Sequence, residues 1–115
     1  MIEDFEDYIN DLMIKLRKTT LTDKQKSIMS AGFCDPTMLA DYFEHCMNYA
    51  DDDPKFSKRM LGMLLWADIL INVDKLTDDE LFEARKALSH GFVQMSGNRK
   101  IKAMLARIHE GEESI

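Results

Sequence analysis

Apolar side chains along this sequence recur at three- and four-residue intervals, the spacing that lines one face of a helix. Over residues 2–18 the stripe is Ile2, Phe5, Ile9, Leu12, Met13 and Leu16. Acids fill the first turns (Glu3, Asp4, Glu6, Asp7) and bases the last (Lys15, Arg17, Lys18), which complements a helix dipole, so a helix is predicted there. After Thr19-Thr20-Leu21, Thr22 and Gln25 stand as N-cap and N3 of a capping box and open a short helix carrying Ile28 and Met29. Gly32 is placed to stop it in a left-handed cap. Asp35-Pro36 restarts the chain with a capping acid and a proline at the first helical position. Met38/Leu39, Tyr42/Phe43 and Cys46/Met47 then form a double-width stripe, and Asp53-Pro54 repeats the restart signal.

The pattern changes at residues 60–73. From Met60 to Val73 apolar residues fall on every side, so a helix there must be buried around most of its circumference. Thr77 and Glu80 then form a second capping box, with Leu76 able to staple against Leu81. Leu81, Ala84, Leu88 and Phe92 continue a helix whose end is blurred by Gly91 and Gly97. Ser96-Gly97-Asn98 reads as a turn, and Ile101, Met104, Leu105 and Ile108 line a last helix before a tail, 110–115, expected to fray. Nowhere does a sustained alternating pattern suggest a strand. The prediction is one all-α domain over residues 1–115, a bundle of five or six helices around a central apolar helix at about residues 54–73.

Composition agrees with a globular chain: 45% of the 115 residues are hydrophobic and 31% charged. Two cysteines, Cys34 and Cys46, make no disulfide framework, and Cys46 falls on an apolar helix face where a reduced, buried thiol is expected. The first residues are acidic and lack the basic segment of a signal peptide. The run from Met60 to Val73 is shorter than a bilayer span and contains Asp68 and Asn72. The expected setting is the cytoplasm, with no membrane partner. Nine methionines read as adaptable core filling before they read as a binding groove.

Candidate chemistry is thin. The triple acid Asp51-Asp52-Asp53 is not followed by the glycine and closing glutamate of a calcium loop. A second frame from Asn72 through Asp74, Asp78, Glu80 and Glu83 puts Leu76 and Thr77 where a ligand and the turning glycine belong. Cys34, His45, Cys46, His90 and His109 have no zinc-ligand spacing. No serine or cysteine sits in a nucleophile motif, and Ser96-Gly97-Asn98-Arg99-Lys100 is a turn before it is an anion loop. No motif asks for a cofactor. Asp68 and Asn72, four apart on an apolar helix, mark a solvent strip or a carboxylate paired with a base from another helix before they mark a functional pocket.

Charge carries the most functional information. The formal net charge is −6. Residues 1–53 hold five bases against twelve acids, and residues 54–115 hold ten bases against nine acids. The expected role is therefore a non-enzymatic protein-interaction module, a small acidic regulator, inhibitor or adaptor; a phage or mobile-element regulator fits the description. Its acidic face would comprise Glu3, Asp4, Glu6, Asp7, Asp11, Asp41, Glu44, Asp51 and Asp52, meeting a basic partner protein. The alternative is nucleic-acid binding through Arg99, Lys100, Lys102 and Arg107 on the basic helix 99–109. A helix-turn-helix across residues 22–48 is disfavoured, because its recognition helix would carry Asp41 and Glu44 and no Lys or Arg. A carboxylate enzyme is the weakest reading, since the chain has no Glu-x-x-His pair. Apolar area left over on the central helix would be buried in a homodimer, with Gly62 permitting close approach.

Overall fold

A computed structural model of the chain describes residues 2–28, 35–48 and 56–113; for 2–6 and 111–113 it describes the backbone alone. Helix α1 spans Ile2–Lys18, α2 Asp23–Ile28, α3 Pro36–Asn48 and α4 Phe56–Ile71. A 3-10 turn at Val73–Lys75 leads into α5 (Asp78–Leu88), α6 (Phe92–Met95) and α7 (Arg99–Glu113). The fold is all-α, with no strand among the described residues. No helix among them is long and apolar enough to cross a membrane.

Local chemistry starts the helices where the sequence says. Thr22 and Gln25 exchange hydrogen bonds, the Thr22 amide donating to Gln25 Oε1 at 3.0 Å and the Gln25 amide to Thr22 Oγ1 at 3.2 Å. Asp35 Oδ1 accepts from the amides of Thr37 and Met38 at 2.8 and 3.2 Å and opens α3. Thr77 and Glu80 form the second box, at 3.0 and 3.1 Å. The expectations placed on Gly32 and on Asp53-Pro54 lie outside the described residues. One expected helix is in fact two. Gly91 adopts φ +92°, in the left-handed region that side-chain-bearing residues rarely enter, and this break separates α5 from α6. The described residues therefore form seven helices, where the pattern suggested five or six.

α4 is the hub. It packs against α1, α3, α5, α6 and α7, and Met63, Trp66, Ala67, Ile69 and Leu70 are fully buried. Gly62 explains the closest of these contacts. A Cβ there would lie 2.6 Å from the Phe92 carbonyl carbon and 2.9 Å from Phe92 Cα, so the missing side chain is what lets the α6 backbone sit on α4. The close approach foreseen at Gly62 is thus made within the chain. The indole Nε1 of Trp66 is buried without a hydrogen-bond partner among the described residues. α2 is the opposite case. None of its residues is buried, and polar bonds fasten it: Gln25 Nε2 donates to the Val73 carbonyl at 3.1 Å, Arg85 Nη1 to the Ile28 carbonyl at 2.7 Å, and Lys24 pairs with Asp78.

Candidate functional site

α1 offers one face to the core through Ile9, Leu12 and Leu16, which are buried. Residues off that stripe point outward, and two of them are large and apolar: Tyr8 is 56% exposed and Ile14 51%. Asp7 and Asp11 are exposed on the same helix, so the outward face is a mixed apolar and acidic ridge.

A groove runs along each flank of the ridge. Towards α3, a hollow of about 500 Å³ is lined by Met13, Ile14 and Met47 with Asn10, Arg17 and Glu44 at its rim. Arg17 bridges α1 to α3, with Nη2 2.7 Å from Asp41 Oδ1 and 3.7 Å from Glu44 Oε2. Two members of the anticipated acidic face are therefore matched to a base of the chain itself. Towards α4 and α7, a cleft of about 380 Å³ is lined by Tyr8, Asp11, Lys15, Asp68, Asn72 and His109.

The second cleft resolves the two polar residues of the apolar helix. Asn72 Nδ2 donates to Asp68 Oδ1 at 2.8 Å and to the Asp68 carbonyl at 2.9 Å, while Asp68 Oδ2 meets His109 Nε2 at 2.7 Å. Asp68 pairs with a base from another helix, one of the two arrangements the sequence allowed. Both of its oxygens are engaged within the chain, so the trio ties α7 to α4 at the cleft floor.

The anticipated acidic face is only partly placed. Asp7 and Asp11 lie on the α1 ridge, Asp41 and Glu44 on α3 beside Arg17; Glu3, Asp4 and Glu6 belong to the first turns of α1, where the backbone alone is described. Asp51 and Asp52 lie outside the described residues. The four bases assigned to nucleic acid do not share one stripe. Arg107 pairs with Glu80 of α5, Arg99 and Lys100 line a cleft against α5, and Lys102 is exposed outside that cleft.

Residues of the calcium-like frame are used otherwise: Asn72 binds Asp68, Thr77 and Glu80 cap α5, and Asp78 pairs with Lys24. No group of three metal-ligating side chains gathers among the described residues. Cys46 is buried on α3 with Sγ 3.9 Å from Met63 Sδ. Burial pushes its thiol above the ordinary range, against the pull of Arg59 and a hydrogen bond from Tyr42. Burial likewise raises the Tyr42 phenol, whose ring stacks on Phe92 at 6.0 Å and His45 at 6.4 Å. Sequence reasoning missed Tyr8 and Ile14. Their signal was present, as large apolar residues that the stripe of α1 does not absorb.

Comparison with known proteins adds no relative: no protein-family model, curated protein or solved structure matches the chain.

Proposed function

We propose that this protein acts by binding another protein through the outward face of α1, as a small regulator, inhibitor or adaptor without chemistry of its own. The observation that carries the reading is the pair of half-exposed apolar side chains, Tyr8 and Ile14, on a ridge with a groove along each flank. An exposed tyrosine and an aliphatic residue beside concave, partly apolar surface have the character of interface anchors. Asp7 and Asp11 on the same face favour a basic segment bearing an apolar residue that enters the Met13–Ile14–Met47 groove. The nucleic-acid reading fits less well, because the bases of α7 are divided between an internal ion pair and separate faces. A homodimer would use the same α1 ridge before it used α4, whose large exposed apolar residue is Leu61.

The test is a paired capture experiment. The wild-type chain and the double variant Tyr8→Ser/Ile14→Asp, matched for thermal stability, are used as baits with light scattering of each alone. A stoichiometric partner, or self-association, that the double variant loses supports the reading. Identical capture by both baits, or no partner for either, rejects it.

A further inference from the structure

A different kind of surface lies between α5 and the start of α7. Lys86 near the end of α5 and Arg99 and Lys100 at the start of α7 line one cleft of about 380 Å³ together with His90, Glu83 and Asn98. A second hollow of about 430 Å³ adjoins it, sharing His90 and Asn98 in its wall. These volumes lie at the small end of the range of ligand pockets, about 300–1,000 Å³.

Arg17 is matched by Asp41 and Glu44, Lys24 by Asp78 and Arg107 by Glu80, and Arg85 donates to a backbone carbonyl. Lys86, Arg99 and Lys100 have no ion pair among the described residues. Lys15, Lys18, Lys26, Lys58 and Lys102 are likewise without an ion pair among the described residues, and what sets Lys86, Arg99 and Lys100 apart is that they line one cleft together. Glu83 is the acid in the cleft wall, so the three bases exceed the acids of the lining by two charges. Gathering like charges from two helices around one hollow raises the potential there, and a compact anion lowers it. The Asn98 side chain takes the Ile101 amide at 3.0 Å. The amides of Arg99 and Lys100 then remain as donors that a helix start leaves without intrahelical partners.

We infer that this cleft binds a diphosphate group, either as the free anion or as the diphosphate of a nucleotide whose remainder lies in the adjoining hollow. Arg99 offers a planar donor fork to the phosphate oxygens, and the two lysines supply point charges. The net charge of −6 opposes a long polyanion on the molecule as a whole, while a local pocket of opposite sign still takes a small one.

The probes are inorganic pyrophosphate, ADP and adenosine, followed by amide chemical shifts and by calorimetry on the whole chain. Saturable binding of pyrophosphate, ADP or both, with shifts at Asn98–Ile101 and none from adenosine, supports the site; ADP binding more tightly than pyrophosphate identifies the nucleotide as its source, and the reverse order the free anion. Arg99→Gln/Lys100→Gln should weaken the bound probe by at least about tenfold, the loss of one or more charge-assisted hydrogen bonds. Lys102→Gln, on the same helix outside the cleft, should change it less than about twofold. Thermal melts of both variants confirm that they remain folded. The inference is overturned if neither phosphate probe saturates, if adenosine binds as well as ADP, or if Lys102→Gln weakens binding as much as the double change. A DNA duplex that competes more strongly than pyrophosphate and depends on Lys102 would also overturn it, in favour of an extended nucleic-acid surface.

Discussion

α4 is enclosed by five other helices of the chain, whereas α1 gives one face to the core and leaves Tyr8 and Ile14 in solvent. By sequence α4 is the greasier of the two, with a mean apolar character that suggests surplus surface for a partner. The structure uses nearly all of that surface internally: α6 lies against Gly62, α3 brings Phe43 and Cys46, and α7 is tied in through Asp68 and His109. Overall hydrophobicity therefore identified what is buried. The candidate contact surface comes from individual apolar residues misplaced on an otherwise polar face.

The largest losses of stability are expected in α4. Trp66→Ala removes the largest fully buried side chain, and urea denaturation should show a loss of about 3–5 kcal/mol. Gly62→Ala adds a single methyl group, yet it collides with the backbone of α6, which cannot swing aside as a side-chain end would. A loss of about 1–3 kcal/mol is expected. A neutral Gly62→Ala in the same denaturation series would mean that α6 does not sit on α4 as described.

The legible part of the fold was that dictated by short-range chemistry. Thr22, Asp35 and Thr77 each cap a helix because the side chain and the amides it serves are within three residues of one another. The central position of α4 was legible because apolar residues fall on most sides of it from Met60 onward. The split at Gly91 was visible only as an interruption, since the positive φ that makes it a break depends on α6 folding back onto Gly62. The pairing of Asp68 with His109 spans 41 positions, and the matching of Asp41 and Glu44 to Arg17 joins two helices. Both arise from tertiary packing, so a list of acids read along the chain overstated the free negative surface.

Substitutions where α4 meets its polar neighbours should cost less. Asn72 is 7% exposed and supplies one of the two partners that hold Asp68. Asn72→Ala should cost about 1–3 kcal/mol by leaving a half-buried carboxylate oxygen without its donor. Thermal melts would measure it, and a change close to zero would show that water replaces the amide. On the α3 side of α4, Cys46 holds its proton more firmly folded than unfolded, since burial raises its pKa. Its contribution to stability is fully present below the ordinary thiol range and is lost as pH rises through that range towards the raised folded value. Stability should therefore fall modestly on the alkaline side, and Cys46→Ala should flatten that part of the profile. With Cys34 replaced by serine, thiol labelling at mildly alkaline pH should track unfolding; rapid labelling of that native variant would contradict the buried, proton-retaining Cys46 thiol.

The smallest expected change in stability belongs to the residue on which the functional reading leans most. Ile14 is half exposed, so Ile14→Asp removes little buried area and should shift the folding free energy by no more than about 0.5 kcal/mol. Leu12→Asp, two positions away on the buried stripe, should unfold the protein under the same conditions, because it places a carboxylate in the core. If the α1 ridge is the contact surface, Ile14→Asp abolishes partner capture while the melting curve stays in place, separating binding from folding at one position. If Ile14→Asp destabilises the chain as much as a core substitution, then Ile14 is covered in solution and α1 resembles α4 after all.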